Sequence, residues 1–193
     1  METNKNLEIT TVGGGCFWCM EAIFKELKGV EKTVSGYSGG SVPGIPTYKE
    51  VCSGLTGHAE VVQVTFDSQL ISYEDLLSVF LLSHDPTTLN LKGKHFGSQY
   101  RSVIYYHDDS QKGIAKMVIK KLASYYERSI TTEISPIKNF HKAEDYHQDY
   151  YEKNPEEAYC SAIIKPKLLK LRSTYDQKEK KFNLEMTKDT YGS

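Results

Sequence analysis

The chain has 193 residues, of which 39% are hydrophobic and 25% are charged, and its formal net charge is −1. This length and composition fit one folded domain, and the near-neutral charge gives no reason to expect a nucleic-acid partner. No apolar run approaches the length that crosses a membrane, and the polar N-terminus lacks the apolar core of a signal peptide. We therefore expect a cytoplasmic protein that has no membrane contact.

The first part of the chain predicts two strands around a helix, followed by a third strand. A strand over 7–12 precedes a helix over 17–27, in which apolar residues recur every three or four positions. Strands over 30–36 and 58–66 flank a loop over 37–57 that is rich in Gly, Pro, Ser and Thr. Loops of this length are usually functional or disordered.

The remaining pattern continues the alternation of helices and strands. In order, we predict a helix after Ser72, a second long loop over 86–99, a strand over 101–107, a helix over 109–126, a strand over 131–135 and a short helix over 142–153. The order strand–helix–strand–strand–helix–strand is that of the split β-α-β unit. The fold class predicted is therefore α+β, a ferredoxin-like sandwich with additional loops, helices and a C-terminal tail.

The character of the sequence changes after residue 164. Lysine and arginine crowd the segment 165–193, which we interpret as a charged tail that is helical or frayed. The domain prediction is accordingly a catalytic domain over 1–164 and a tail over 165–193.

Cys16 is the first candidate for chemistry. It follows Gly13-Gly14-Gly15 at the predicted start of the first helix. Unpaired backbone N–H groups and the positive end of the helix dipole favour a thiolate there, and the thiolate is the reactive form of cysteine. The sequence therefore predicts that Cys16 loses its proton more readily than an ordinary cysteine. Phe17 and Trp18 follow it as an aromatic wall.

Glu60 is the second candidate, because it alternates with apolar residues along its predicted strand. A carboxyl group on an apolar face would be desolvated, so its pKa would rise and it could donate a proton near neutral pH. The alternative is a glutamate at a strand start that reaches solvent. The residues alone leave both open.

The four cysteines do not predict a disulfide framework or a strong metal site. In a reducing compartment structural disulfides are rare. A zinc site usually needs two ligand pairs, and only Cys16 and Cys19 form a close pair. We expect no bound metal.

Five sequence blocks, in order, resemble the peptide methionine sulfoxide reductase A family. The blocks are Gly15-Cys16-Phe17-Trp18-Cys19, Gly36-Tyr37-Ser38-Gly39-Gly40, the segment from Pro46 through Gly57-His58-Ala59-Glu60, Gly97-Ser98-Gln99-Tyr100-Arg101-Ser102, and Ala143-Glu144-Asp145-Tyr146-His147-Gln148. They cover about residues 9 to 160, and the fold known for this family has the same kind of core. The resemblance implies an oxidoreductase that repairs methionine S-sulfoxide, free or in oxidised proteins.

The resemblance also assigns roles to individual residues. Cys16 would be the nucleophile and Glu60 the acid that protonates the sulfoxide oxygen, while Tyr48 and Tyr100 would donate hydrogen bonds to that oxygen. Phe17 and Trp18 would hold the substrate's methyl group, which packs well on aromatic rings. No metal or organic cofactor is implied. Thioredoxin is the implied reductant.

His95 departs from the family pattern. It stands where the family has an aspartate that orients the site and receives the substrate's backbone nitrogen. A neutral histidine can accept a hydrogen bond, but a protonated one cannot, so substrate affinity is expected to depend on pH.

The resolving cysteine has two main candidates. Cys160 lies where many family members have a resolving cysteine, but no glycine lies between Gly113 and Gly192 to let the segment swing. Cys19 lies three residues after Cys16, so both side chains can share one face of the first helical turn. We favour Cys19, with a relay through both still open.

Two other functions compete with this interpretation. Cys16-Phe17-Trp18-Cys19 is a C-x-x-C at a helix start, which also fits a thioredoxin-like disulfide oxidoreductase. A zinc-stabilised interaction module is a non-enzymatic alternative.

Overall fold

A computed structural model describes residues 5–89 and 97–182 of the chain, with side chains described up to residue 173. The strands are β1 Leu7–Gly13, β2 Val30–Ser38, β3 Ala59–Asp67, β4 Val103–Tyr106, β5 Glu133–Pro136 and β6 His141–Lys142. The α-helices are α1 Phe17–Lys25, α2 Tyr48–Cys52, α3 Tyr73–Leu82, α4 Asp109–Leu122, α5 Tyr150–Lys153 and α6 Lys165–Phe182. Short 3₁₀ turns cover Ser98–Tyr100, Ala123–Tyr125 and Asp145–His147, and a π-helical turn covers Cys160–Ile164.

The six strands form one sheet in the order β5-β4-β1-β3-β2-β6. The central four, β4-β1-β3-β2, pair antiparallel, as the split β-α-β arrangement requires. The predicted α+β class and the order of its core elements are confirmed. Two short strands extend the sheet at its edges, β5 parallel to β4 and β6 antiparallel to β2.

The main core lies between one face of the sheet and the helices. Val62, Val64 and Phe66 of β3 are fully buried in it, together with apolar residues of α1, α3 and α4. Ala59 and Val61 belong to a second, smaller cluster. Since side chains alternate between the faces of a strand, the residue two positions before Val62 points to the helical side of the sheet. That residue is Glu60.

Two predicted segments differ from the structure. The loop over 37–57 contains the short helix α2, which Thr47 and Glu50 start with a reciprocal capping box. The single helix predicted over 142–153 is wrong. The chain there forms β6, a 3₁₀ turn and α5, separated by Asp149 in the left-handed conformation at φ 56.

The Gln148 side chain explains why this segment does not form one helix. Its Oε1 accepts from the Ser35 N–H at 3.0 Å, and its Nε2 donates to the carbonyl oxygens of Ser35 and Ala143 at 2.9 and 3.0 Å. These bonds extend the edge of the sheet with a side-chain amide. Tertiary bonds of this kind override the local helical pattern.

The start of α6 packs against α1. Leu168 is 3% exposed and belongs to the main core. The Arg172 guanidinium donates from Nε and Nη2 to the two carboxylate oxygens of Glu26, both at 2.8 Å, and Glu26 is buried. A bidentate pair of this geometry fixes both position and orientation. No helix in the described ranges is long and apolar enough to cross a membrane.

The packing of α6 predicts different costs for two adjacent leucines. Leu168→Ala should lower the free energy of unfolding by about 2–4 kcal/mol, because it empties a buried site. Leu169, which is 56% exposed, provides the matched control, and Leu169→Ala should change stability by less than about 0.5 kcal/mol. Urea denaturation of both variants measures the difference. Equal costs would contradict the packing of α6 onto the core.

Candidate active site

Three glycines carry the chain from β1 to α1 through a space too narrow for side chains. A Cβ atom on Gly13 would lie 2.6 Å from the Glu60 carbonyl oxygen, and one on Gly14 would lie 2.9 Å from an aromatic carbon of α3. Gly15 has φ 94, and its N–H donates to the Tyr100 carbonyl oxygen at 3.1 Å. The turn therefore ties the start of α1 to the loop that contains Tyr100.

Cys16 occupies the N-cap position of α1 and is 9% exposed. Its side chain makes no capping bond. Instead, the Phe17 N–H donates to Glu60 Oε2 at 3.0 Å. Glu60, 1% exposed on β3, thus reaches the helix start beside Cys16. The sequence left open whether Glu60 is buried on the apolar face or reaches solvent, and in the structure it is buried.

The burial of Glu60 changes its protonation. Desolvation raises the pKa of this carboxyl to about 8, and the hydrogen bond from Phe17 only partly opposes the rise. Near neutral pH the group is therefore mainly a neutral acid. A neutral carboxyl still accepts the Phe17 N–H through its carbonyl oxygen, and its own proton remains available to a bound molecule.

Cys16 and Cys19 form a hydrogen-bonded thiol–thiolate pair. Burial, the hydrogen bond to Cys19 and the nearby Glu60 raise the pKa of Cys16 well above its ordinary value. The hydrogen bond from Cys16 lowers the pKa of Cys19 to about 6, although burial opposes this shift. The positive charge of Lys167 and a hydrogen bond from Tyr159 also lower the pKa of Cys19, so Cys19 is the more acidic thiol of the pair. The raised pKa of Cys16 differs from the expectation that this residue loses its proton more readily than an ordinary cysteine.

Tyr48 and Tyr100 converge on the same place from two loops. Tyr48 begins α2, Tyr100 ends a 3₁₀ turn, and the two hydroxyls hydrogen-bond to each other. Burial first, and then the proximity of Glu60, raise the pKa of both phenols above their ordinary value. Both therefore keep their protons and can act as hydrogen-bond donors.

Aromatic rings surround the residues that follow Cys16. Phe17 is buried, and its ring stacks on Tyr48 at a centroid distance of 6.4 Å. Trp18 is half-buried and lies flat on Tyr150, with ring centroids 3.6 Å apart and planes inclined by 5°. Its Nε1–H donates to His147 Nδ1 at 3.0 Å, which places the histidine's proton on Nε2. The two predicted wall residues are thus held in fixed orientations.

Glu144 is a site residue that the sequence reasoning missed. Its Oε1 accepts from the Tyr48 N–H at 2.9 Å, and its Oε2 accepts from the Tyr37 hydroxyl at 2.7 Å. Glu144 therefore positions the start of α2. The sequence carries a signal for this residue, because Glu144 belongs to one of the five blocks that resemble the family.

The other predicted residues are placed as follows. Cys160 is fully buried in the π-helical turn, within electrostatic reach of Cys19. His95 lies outside the described residues, and its predicted contact with substrate stays a prediction. Within residues 5–89 and 97–182, no group of three His, Cys, Asp or Glu side chains could hold a metal ion.

A sequence model described as peptide methionine sulfoxide reductase matches residues 8–180. The chain belongs to the peptide methionine sulfoxide reductase family. A relative from Natronomonas pharaonis named peptide methionine sulfoxide reductase MsrA is 54% identical over 170 residues, which cover 87% of this chain and 95% of the relative.

Solved structures agree with this membership. Mxr1 from Saccharomyces cerevisiae in reduced form is 36% identical, with a TM-score of 0.74, and the match covers 82% of this chain and 91% of that one. Mxr1 in complex with Trx2 is 25% identical, with a TM-score of 0.52, over 77% of this chain and 87% of that one. The function is therefore methionine sulfoxide reduction. The two competing interpretations, a zinc-stabilised module and a thioredoxin-like disulfide oxidoreductase, are not favoured.

The burial of Glu60 predicts a pH limit for sulfoxide reduction. The acid form is present below the pKa and is lost as pH rises through about 8. In a single turnover of this protein, methionine formation should therefore slow above about pH 8. Glu60→Gln should slow the step by roughly 10²- to 10⁴-fold and remove this limb.

A second buried acid provides the control for this experiment. Glu21, in the middle of α1, also has a raised pKa, about 7, but its carboxylate accepts from the Asp149 N–H at 2.9 Å. Glu21→Gln should leave the limb near pH 8 in place. A wild-type rate that stays constant from about pH 6 to 9 would contradict the role of Glu60 as the acid.

Proposed function

We propose that the chain reduces the S epimer of methionine sulfoxide to methionine, with Cys16 as the nucleophile. The observation that carries this proposal is the convergence of three kinds of group at the start of α1. A cysteine pair that shares one proton, a protonated carboxyl group and two phenol donors lie there together. Sulfoxide reduction needs a nucleophile for sulfur and proton donors for oxygen, and each is present.

The reduction step uses the cysteine pair as nucleophile and base. Cys19 thiolate takes the Cys16 proton, and the Cys16 sulfur attacks the sulfoxide sulfur. Glu60 gives its proton to the sulfoxide oxygen, to which Tyr48 and Tyr100 donate hydrogen bonds. The hydroxyl group then passes from the substrate sulfur to Cys16: the S–O bond of the substrate and the transient bond between the two sulfurs break, an S–O bond to Cys16 forms, and one electron pair stays on the substrate sulfur. The products are methionine and a Cys16 sulfenic acid.

Phe17 and Trp18 provide the apolar surface for the substrate. Their fixed rings offer a wall on which the methyl group next to the reacting sulfur can pack. Exclusion of water by this wall strengthens the hydrogen bonds to the oxygen. His95 supplies the polar contact to the rest of the substrate, free methionine sulfoxide or an oxidised protein.

Cys19 resolves the sulfenic acid. Its sulfur attacks the Cys16 sulfur, the Cys16 S–O bond breaks, and the oxygen leaves as water after it accepts a proton. The product is a Cys16–Cys19 disulfide, which thioredoxin reduces with two electrons by thiol–disulfide exchange. The complex of the related Mxr1 with Trx2 supports this partner.

Two observations favour Cys19 over Cys160 in this role. Cys19 already hydrogen-bonds to Cys16, so the disulfide forms with little chain motion. Cys160 is fully buried in a turn that continues into α6, and Arg172 holds α6 to Glu26. Release of Cys160 would require this packing to break.

The catalytic unit is residues 1–164, and residues 165–193 are a tail whose first turns brace α1. The four free cysteines suit a reducing compartment, which supports a cytoplasmic location. Neither metal nor organic cofactor takes part in the steps above.

Replacement of the nucleophile tests the proposal. Cys16→Ser should abolish reduction of methionine S-sulfoxide with dithiothreitol, because the hydroxyl cannot replace the thiolate. Cys160→Ser serves as the matched control and should retain wild-type activity with this reductant. An assay with both epimers measures the selectivity. Turnover of the R epimer at a similar rate, or turnover by Cys16→Ser, would overturn the proposal.

A second prediction concerns the resolving cysteine. After one turnover without reductant, peptide mapping should find a Cys16–Cys19 disulfide. Cys19→Ser should lose most thioredoxin-dependent turnover, since its sulfenic acid has no adjacent thiol, while Cys160→Ser should keep it. A dominant Cys16–Cys160 crosslink, with full turnover in Cys19→Ser, would identify Cys160 as the resolving residue instead.

A further inference from the structure

The hydroxyl of Tyr159 contacts the cysteine pair. Its Oη lies 3.5 Å from Cys19 Sγ, and it also reaches the Cys16 sulfur by a hydrogen bond. The ring meets Trp18 edge-on, with centroids 5.6 Å apart and planes at 72°. Tyr159 lies outside the five sequence blocks, next to Cys160.

We propose that Tyr159 is a catalytic residue of the recycling half of the reaction, in which its hydroxyl stabilises the Cys19 thiolate that attacks the Cys16 sulfenic acid. This inference rests on the proposed role of Cys19 as the resolving cysteine.

The direction of the hydrogen bond follows from the chemistry of the two groups. Burial and the two adjacent sulfurs raise the pKa of Tyr159 above its ordinary value, so the phenol keeps its proton. The sulfur of Cys19 carries the charge of the pair, because its pKa is lowered to about 6. The hydroxyl therefore donates and the thiolate accepts. Hydrogen bonds to a charged acceptor are stronger than bonds between neutral groups.

The step that Tyr159 assists is balanced without another reactant. The Cys19 sulfur forms a bond to the Cys16 sulfur, and the S–O bond of the sulfenic acid breaks. The Cys19 thiolate is oxidised and the Cys16 sulfur is reduced from the sulfenic to the disulfide level. Cys19 first releases the proton that it took from Cys16 in the reduction step, and the departing oxygen takes up one proton, so that water is the product. Tyr159 keeps its proton throughout and stabilises negative charge on Cys19 before the attack.

When thioredoxin opens the disulfide, the same hydrogen bond helps again. Attack on Cys16 expels Cys19 as a thiolate, and a donor on the leaving sulfur makes it a better leaving group. Tyr159 is positioned for this role because its ring is held against Trp18 and its backbone continues into the buried turn at Cys160.

Other groups also set the charge on Cys19, and they must be kept constant in the test. Cys16 donates a hydrogen bond from the preceding turn, and Lys167 of α6 adds a favourable positive charge. Glu60 of β3 and Cys160 of the π-helical turn also interact electrostatically with Cys19. The Tyr159→Phe substitution replaces none of these four groups.

The first measurement is the pH dependence of thiol alkylation in the reduced protein. Iodoacetamide labelling at Cys19 is followed by fragment mass spectrometry, which separates it from Cys16. In wild type the labelling rate should rise through a midpoint near 6. In Tyr159→Phe the midpoint should move upward by about one pH unit, a tenfold change in the ionisation equilibrium. Tyr150→Phe, which removes the hydroxyl of the ring stacked on Trp18, should leave the midpoint unchanged.

The second measurement separates the two halves of the reaction. In a single turnover with methionine S-sulfoxide, methionine release and loss of the free Cys19 thiol are timed together. At about pH 5, below both midpoints, Tyr159→Phe should slow disulfide formation by about tenfold and methionine release by clearly less. Methionine release accompanies formation of the sulfenic acid, and disulfide formation follows as a separate step. A structural disturbance of the site would slow both steps equally.

Two outcomes would overturn the inference. An unchanged alkylation midpoint in Tyr159→Phe would show that the hydroxyl does not stabilise the thiolate. Equal slowing of both steps would assign Tyr159 a structural role only. Failure of the proposed function looks different: wild type would then form no Cys16–Cys19 disulfide, although the alkylation midpoint would still respond to Tyr159→Phe.

Discussion

The hydrogen bond from the Phe17 N–H to the Glu60 carboxyl is the contact on which the rest of the site depends. It joins the start of α1 to the middle of the sheet, and it uses the backbone donor that would otherwise stabilise a thiolate at Cys16. Burial of Glu60 at this point keeps its proton on at neutral pH. One contact thus holds a protonated carboxyl group beside the cysteine pair.

The sequence predicted the core of the fold because hydrophobic periodicity and element order are local signals. Alternation along β3 correctly placed Glu60 on the face of Val62, Val64 and Phe66. The capping box at Thr47 was readable as T-x-x-E, but the glycines and prolines around it favoured a loop. The segment over 142–153 could not be predicted, because the bonds of Gln148 to Ser35 join residues far apart in the chain.

The sequence could propose the members of the candidate site but not its electrostatics. The recognised blocks contain Cys16, Tyr48, Glu60 and Tyr100, and the structure brings them together. The protonation of the cysteine pair depends on which donor reaches which sulfur, and that is decided by tertiary contacts. Tyr159 has no motif of its own, so only its position beside Cys19 reveals it.

The anchoring of α6 has a consequence for the rate at which the enzyme can cycle. Arg172 and Leu168 hold this helix on α1, and Cys16 and Cys19 are already hydrogen-bonded, so a disulfide between these two sulfurs would form without a large movement of the backbone. The viscosity of the solvent would then have little effect on the rate at which this disulfide closes.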